Sequence, residues 1–208
     1  MKELYFVRHG QTEWNAIRRM QGQWNSDLND LGREQADRNG QFLAGLDIEY
    51  LVASPLDRTR QTAEIINRHL QLDIEYDDRI MEWDCGDWSG EMWDDVADKW
   101  PEEFAAWQAD QFNYRGPNCE NYPDMIARTR PFLEELERHE ARRIAIVSHG
   151  MIGRVMVGTL LGMSPEEMFS FGQKNDTVFH LTLHEGRYAT QHFVGGDGPH
   201  PGLPPRQY

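Results

Sequence analysis

The strongest constraint on the fold is the segment 143–150, where a short apolar run ends in polar residues and a glycine. It reads RIAIVSHG, and its central run of four apolar residues is typical of a buried strand. The residues that follow fall on one helical face: Ile152, Val155, Met156, Thr159 and Leu160. A buried strand that leads straight into a helix is a unit of layered α/β proteins, so this segment predicts a sheet covered by helices.

The same alternation runs through the rest of the chain. The predicted strands are 4–7, 50–53, 73–76, 178–183 and 188–194, the last two flanking a Glu185-Gly186 turn. The predicted helices are 31–46, 56–70 and 125–136. Ser54 and Pro55 are expected to cap and start the second helix, and Pro131 to kink the third. We therefore predict an α/β fold, a three-layer αβα sandwich around a mostly parallel mixed sheet.

The predicted domain covers residues 1–194, and a Gly/Pro-rich tail over 195–208 is expected to be loose. Within the domain, an acidic stretch at about 83–122 is crowded with aromatic side chains. They are Trp83, Trp88, Trp93, Trp100, Phe104, Trp107, Phe112, Tyr114 and Tyr122. We interpret this stretch as a helical insertion over the sheet. Its aromatic side chains either anchor the insertion or receive an apolar or ring-bearing group of a ligand.

Charge and composition exclude several classes of protein. The 21 Lys and Arg residues against 35 Asp and Glu give a formal charge of −14, so we expect no nucleic-acid partner and no binding to an anionic membrane. No apolar run approaches the roughly 18 residues of a membrane span. Two cysteines are too few for a disulfide scaffold, so the expected location is cytoplasmic. Nearly all the positive charge is on arginine, whose donor fork suits carboxylate and phosphate groups.

Reactive side chains follow three of the predicted strands. The first strand ends in Arg8 and His9, the second leads to Arg58, and the strand at 143–148 ends before His149. Both histidines precede a glycine, which permits a sharp turn and close approach of a ligand. Open α/β sheets place their sites at the carboxyl ends of strands, so we expect these side chains to converge. Free N–H groups at the start of the helix after His149 would also attract an anion.

Two arginines and two imidazoles around one point suit a dianionic phosphoryl group. The arginines neutralise its oxygens, and an imidazole nitrogen attacks phosphorus to form a phosphohistidine that water can hydrolyse. A single histidine or arginine near a strand end is more often a structural hydrogen-bonding group. The convergence of two His-Gly pairs favours the functional interpretation.

Five blocks also occur in a fixed order along the chain. The first is RHGQTEWN at 8–15, and the second combines QG at 21–22, DLN at 27–29, LG at 31–32 and QA at 35–36. The others are SPLDRTRQTA at 54–63, ME at 81–82 with Gly86, Trp88 and Gly90, and SHG at 148–150. Together they resemble the histidine phosphatase superfamily in its phosphoglycerate mutase-like branch, over residues 4 to about 160. The resemblance implies a small-molecule phosphatase that acts on a phosphorylated metabolite and needs no metal and no other cofactor.

The resemblance also implies a role for each matched residue. His9 is the phosphate-accepting nucleophile, and Arg8, Arg58 and His149 complete the phosphate pocket. Glu82 protonates the leaving oxygen and then deprotonates the attacking water. The implied substrate-binding residues are Asn15, which donates to a phosphate oxygen, and Thr12, Gln21, Gly22 and Gly150, which line the pocket.

Two departures from the family pattern bear on the reaction. Residues 118–121 read NCEN in place of the usual GGES, although Glu120 and Arg128 are kept, and we interpret Cys119 as incidental. Residues 83–85 read WDC, where cofactor-dependent mutases have Arg-His-Tyr, and the only cations between 83 and 120 are Lys99 and Arg115. The paired arginines with which mutases grip a carboxylate are therefore missing. This favours a phosphomonoesterase, with a cofactor-dependent phosphoglycerate mutase-type phosphotransferase as the alternative.

Hypotheses of other classes are a metal-binding protein and a non-catalytic scaffold. His180 and His184 have the spacing of a helical metal pair, but they lie in an alternating, strand-like run. At about 3.3 Å per residue their side chains would be about 13 Å apart, too far to share an ion. A scaffold has no need of the acid Glu82. The sequence leaves a homodimer open and does not choose among phosphoserine, phosphoglycerate-type acids, α-ribazole phosphate and sugar phosphates.

Overall fold

Seven strands and eight helices form within residues 1–206, the part of the chain that the computed structural model describes. The strands are β1 (Lys2–Arg8), β2 (Tyr50–Ala53), β3 (Ile74–Tyr76), β4 (Arg143–Ser148), β5 (Thr177–His184), β6 (Arg187–Val194) and β7 (Asp197–Pro201). The helices are α1 (Glu13–Ala16), α2 (Asp30–Ala44), α3 (Asp57–Leu70), α4 (Val96–Lys99), α5 (Pro101–Ala109), α6 (Tyr122–Arg138), α7 (Gly150–Leu160) and α8 (Pro165–Ser170). Short 3-10 turns occupy Asp78–Ile80, Gly86–Trp88 and Trp93–Asp95.

The strands form one mixed sheet in the order β3-β2-β4-β1-β5-β6-β7. The three pairings among β3, β2, β4 and β1 are parallel, and the three among β1, β5, β6 and β7 are antiparallel. The predicted mixed sheet is confirmed, with half of its pairings parallel. β4 lies between two parallel neighbours and is buried from Ile144 to Ser148, as its unbroken apolar run predicts.

Alternation along β1 fills both faces of the sheet. Leu4 and Phe6 pack into the core that α6 and α7 complete. Tyr5 and Val7 point to the opposite core, which contains Leu43 of α2 and residues of α3. The three-layer sandwich is thereby confirmed, because each face of the sheet is covered by a pair of helices.

The C-terminal segment is more ordered than expected. β7 pairs with β6, the Arg206 N–H donates to the Ser170 carbonyl at 2.9 Å, and the Gly172 N–H donates to the Pro204 carbonyl at 3.1 Å. The prediction of a loose tail is therefore wrong for residues 195–206, because backbone groups of this segment find partners in the sheet and after α8. Residues 207 and 208 lie outside the described residues.

One local prediction also differs from the structure. The N-cap of α3 is Leu56 and not Ser54, whose hydroxyl bonds elsewhere. Helix α6 continues past Pro131 to Arg138, and the kink at Pro131 stays a prediction. None of the helices in residues 1–206 combines the length and apolarity needed to cross a bilayer.

The insertion is a set of short helices and turns held together by aromatic contacts. The Trp93 ring lies 5.4 Å from Trp107 and 6.3 Å from Phe104, measured between centroids. Backbone hydrogen bonds tie it to the loop after α1, for example from the Met20 N–H to the Glu91 carbonyl at 2.9 Å. The expected helical, aromatic-rich insertion is thus present, and it covers the carboxyl end of the sheet near β1.

Candidate active site

The strand register brings the reactive side chains to one edge of the sheet. β1 and β4 are parallel neighbours in which Arg8 is opposite Ser148, so His9 and His149 leave the sheet side by side. Their ring centroids are 5.2 Å apart, in an edge-to-face arrangement. The expected convergence at the carboxyl ends of the strands is what the register produces.

His9 is buried at the base of an open cleft of about 230 Å³. Its Nδ1 lies 2.8 Å from the Gly10 carbonyl, which can only accept, so Nδ1 carries the proton. Burial lowers the pKa of His9 well below 6.5, and the charges of Arg58 and Arg8 lower it further. The ring is therefore neutral, with a lone pair on Nε2, which makes no hydrogen bond within residues 1–206.

His149 has the opposite arrangement. Its Nδ1 accepts from Nε of Arg58 at 3.1 Å, so Nε2 carries the proton and donates to the Ser54 hydroxyl at 2.8 Å. Burial, then the charge of Arg58, lowers its pKa well below 6.5. Both nitrogens of His149 are occupied, and it lies behind the cleft wall. The two His-Gly pairs look alike in sequence, but only His9 has a free ring nitrogen.

Arg58 is almost fully buried and is held by three hydrogen bonds. Besides its bond to His149, it donates to the carbonyls of Trp24 and Gly22, each at 2.7 Å. Burial lowers its pKa to about 10, so the guanidinium stays charged at neutral pH. Of its five N–H groups, two remain for a ligand in the cleft.

Arg8 lies across the start of α7. A Cβ atom added to Gly150 would be 3.1 Å from the Arg8 guanidinium carbon, so a side chain there would press against this group. Arg8 donates to the Gln173 carbonyl at 2.6 Å, while its Nε is buried without a partner. Burial lowers the pKa of Arg8. A buried, unsatisfied donor is costly unless a ligand completes it.

Glu82 is the one carboxyl among the described residues that line the cleft. Its Oε1 accepts from the N–H groups of Trp83 and Ile152, both at 3.0 Å, and its Oε2 accepts from that of Met151 at 3.2 Å. The start of α7 is therefore already capped by the Glu82 side chain, which accepts from the N–H groups of Met151 and Ile152. The sequence predicts free N–H groups at this helix start, and in the structure those of Met151 and Ile152 are occupied.

The remaining sequence-predicted residues divide into two groups. Asn15, Gln21 and Gly22 line the cleft. Thr12 is buried behind it, where its hydroxyl donates to Gln21 at 3.0 Å, and Gly150 lies beneath Arg8. These two contact residues that line the cleft and do not line it themselves.

Sequence reasoning missed several residues that hold the site in place. Ser54 fixes the tautomer of His149, and Nδ2 of Asn175 donates to the His9 carbonyl at 2.7 Å. Arg128 makes a two-pronged ion pair with Glu120 at 2.7 and 2.8 Å. It also donates to the Met81 carbonyl at 3.0 Å, next to the candidate acid. Only the presence of Ser54, Glu120 and Arg128 in family blocks offered a signal.

The positions and contacts of three further residues indicate structural roles: Cys119, His180 and His184. The Cys119 thiol donates to the Cys85 carbonyl at 3.0 Å, and burial raises its pKa to about 12, so it is not a nucleophile at neutral pH. His180 and His184 lie on β5, and Nε2 of His180 is 3.0 Å from a Glu3 carboxylate oxygen. Within residues 1–206 no group of three or more His, Cys, Asp or Glu is arranged to hold a metal.

A mixed α/β sheet whose carboxyl edge brings together a free imidazole nitrogen and two guanidinium groups defines a protein whose site suits an oxyanion. The chain belongs to the histidine phosphatase superfamily, branch 1, whose family model matches residues 4–194. This confirms the resemblance found in the sequence. The match covers all the predicted site residues, and the chain is a phosphoric monoester hydrolase.

The relatives of this chain include phosphatases and a probable phosphoglycerate mutase. Phosphoserine phosphatase 1 of Hydrogenobacter thermophilus is 34% identical over 188 residues, covering 90% of this chain and 89% of the relative. The Salmonella arizonae protein named "Probable phosphoglycerate mutase GpmB" is 32% identical over 208 residues, covering 96% and 95%. Among solved structures, mycobacterial glucosyl-3-phosphoglycerate phosphatase with VO3 has a TM-score of 0.81 at 28% identity, covering 93% of this chain and 98% of that one.

Proposed function

We propose that the protein hydrolyses a small phosphorylated metabolite through a phosphohistidine on His9. The observation that carries this proposal is the hydrogen bond from Nδ1 to Gly10, which leaves the lone pair of a neutral ring on Nε2. In the first step Nε2 attacks phosphorus, and the bond from phosphorus to the leaving oxygen breaks. Arg8 and Arg58 balance the charge on the phosphoryl oxygens, and Asn15 supplies a further donor from its amide nitrogen.

Glu82 transfers the proton in both halves of this reaction. It donates a proton to the leaving oxygen in the first half. In the second half water attacks phosphorus, its proton passes to the Glu82 carboxylate, and the bond from phosphorus to Nε2 breaks, which restores neutral His9. Among the described residues, Oε2 accepts a single N–H group, from Met151, so it retains a lone pair for this proton.

The insertion favours hydrolysis over a mutase-type transfer. Its two cations are engaged elsewhere, because Lys99 pairs with Glu91 and Arg115 pairs with Asp124. Neither lines the cleft that contains His9. The mutase alternative is tested with 3-phosphoglycerate and a catalytic amount of 2,3-bisphosphoglycerate. Fast isomerisation without phosphate release would contradict the hydrolase proposal.

The nucleophile is tested by replacing His9. We expect His9→Ala to lower the rate of p-nitrophenyl phosphate hydrolysis by about a thousandfold or more, because no other ring nitrogen in the site is free. Rapid quench of the wild type should trap an acid-labile, base-stable phosphoenzyme that His9→Ala lacks. Far-UV circular dichroism checks that the variant is folded. Trapping the same phosphoenzyme in His9→Ala would remove His9 from the mechanism.

The substrate proposal is limited to a small phosphomonoester. A cytoplasmic location and a homodimer stay predictions from the sequence. A phosphate-release screen over phosphorylated metabolites would identify the preferred leaving group.

A further inference from the structure

A second cavity shares Arg8 with the cleft and is lined by basic side chains. This C-terminal cavity, of about 440 Å³, lies between the start of α7, the loop after α8 and the C-terminal segment. Its polar lining residues include Arg8, Arg154, Lys174, Arg206, His192 and Thr177. No acidic side chain is among its described lining residues. Four formal cations thus meet in one cavity of a chain whose net charge is −14.

Three of these cations lack the ion pairs that other arginines of the protein make. Arg79 and Arg128, for example, each contact a carboxylate at 2.7 Å or less. In the described part of the chain, no carboxylate lies within 4.0 Å of Arg8, Arg154 or Lys174. Acidic residues outnumber basic ones in this chain, so carboxylates are not scarce. The lack of ion pairs at these three cations therefore reflects their position in the cavity.

Two arginines of this group, Arg8 and Arg154, are also short of hydrogen-bond acceptors. The Nε atoms of Arg8 and Arg154 are buried and have no partner within residues 1–206. Arg154 uses one other nitrogen, which donates to the Tyr122 hydroxyl at 3.2 Å. Burial lowers the pKa of Arg8, and the nearby charge of Arg154 lowers it further, while Glu82 and Asp176 raise it. A bound oxyanion would relieve this repulsion and supply acceptors to both groups.

We propose that the C-terminal cavity binds a second oxyanion, a carboxylate or a phosphate group, beside the phosphoryl site. The oxyanion is either an acidic group on the leaving portion of the substrate or a separate small anion. The first case rests on the proposed phosphatase function. The cations of this cavity come from β1, α7, the loop after α8 and the C-terminal segment, and none of them belongs to the insertion.

The test compares two substrates that differ only in a carboxylate, phosphoserine and phosphoethanolamine. We expect the double variant Arg154→Met/Lys174→Met to lower the preference for phosphoserine, as the ratio of kcat/KM values, by about 10- to 100-fold. Hydrolysis of p-nitrophenyl phosphate should change by less than about twofold, since this substrate has no second acidic group. The control Arg68→Met/Arg187→Met removes the same charge from exposed sites and should leave the ratio unchanged.

A second arm identifies a separate anion. If the cavity binds a separate small anion, replacing chloride by acetate at equal ionic strength should change the wild-type rate on phosphoethanolamine. The rate of the double variant on the same substrate should not change. The proposal is overturned if the wild type does not distinguish the two substrates and does not respond to acetate. Lys174→Met alone, at an exposed position, serves if the double variant does not fold. Failure of the wild type to hydrolyse p-nitrophenyl phosphate would instead count against the proposed function.

Discussion

At the scale of single residues, hydrogen-bond partners decide what each titratable group can do. His9 and His149 are both buried, both precede a glycine, and the pKa of each is lowered. They differ because Nδ1 of His9 faces a carbonyl and Nδ1 of His149 faces a guanidinium N–H. The first contact leaves Nε2 free as a nucleophile, and the second directs the Nε2 proton to Ser54.

Glu82 is the residue whose role is most sharply tested by a change of one atom. Glu82→Gln keeps a carbonyl oxygen that can accept from the start of α7, but it cannot carry the transferred proton. We expect kcat for phosphoethanolamine, a poor leaving group, to fall by about a hundredfold or more, because its alkoxide needs the proton. The loss on p-nitrophenyl phosphate should be at least about tenfold smaller, since this leaving group is stable as an anion. Equal losses on the two substrates would contradict the acid role.

At the scale of elements, the segment that carries Glu82 is held by a helix and not by a strand. Arg128 of α6 donates to the carbonyls of Arg79 and Met81, and its ion pair with Glu120 adds the loop before α6. Glu120 in turn accepts from the Asp84 N–H at 3.0 Å. One arginine therefore fixes both sides of the loop that presents the candidate acid.

Replacing this arginine should affect both stability and catalysis. We expect Arg128→Met to lower the free energy of unfolding by about 2 kcal/mol, because Glu120 is left charged and only 20% exposed. The loss of kcat should be larger for phosphoethanolamine than for p-nitrophenyl phosphate, because Glu82 loses its support. Arg130→Met, at an exposed position two residues along the same helix, should stay within about 0.5 kcal/mol of the wild type in urea unfolding. Equal effects of Arg128→Met and Arg130→Met on the free energy of unfolding and on kcat would contradict the role of Arg128 in holding the Glu82 loop.

At the scale of the whole molecule, charge is distributed unevenly. Most of the acidic excess faces solvent, while Arg8, Arg58 and Arg154 line cavities at the carboxyl edge of the sheet. The net charge of −14 therefore does not prevent the binding of an anion, because the local field in a cavity depends on the nearest groups. The C-terminal segment contributes to this arrangement by closing the cavity beside α7.

The buried histidines predict how stability depends on pH. His9 and His149 stay neutral in the folded protein to well below pH 6.5, whereas in the unfolded chain they take up protons at about pH 6.5. The unfolded state binds more protons below this pH, so the free energy of unfolding should fall as pH falls, by up to about 2.7 kcal/mol per pH unit for the two groups. His180, whose pKa burial also lowers, adds in the same direction.

Urea unfolding between pH 7 and pH 5 measures this slope. Carboxyls with lowered pKa values, such as Asp77, act in the same direction, but only near and below about pH 4. His149→Gln should lower the slope by about half of the two-histidine value, and His200→Gln, at an exposed position, should not change it. A free energy of unfolding that stays constant from pH 7 to pH 5 in the wild type would contradict the buried neutral histidines.

The sequence by itself determined the strands, the layers and the core of the site. Strands can be found from the sequence because apolar periodicity is a local property. Parallel strands end at the same edge of a sheet, so the sequence alone predicts that Arg8, His9 and His149 lie close together. The same strand-end argument included Arg58, and the sequence blocks added Glu82. The two-stranded pairing of the C-terminal segment could not be predicted, because glycine and proline obscure a strand whose partner is β6.

Only the tertiary structure decided which histidine is free, what holds Glu82, and where the unpaired cations lie. Ser54 and His149 are 95 residues apart, Glu82 and Ile152 are 70 apart, and Gln173 and Arg8 are 165 apart. Such contacts depend on how distant segments pack, and no periodicity or local propensity encodes them. Tautomers and unsatisfied donors follow from those contacts, so the chemistry of the site became assignable only when the partners of each nitrogen and oxygen were known.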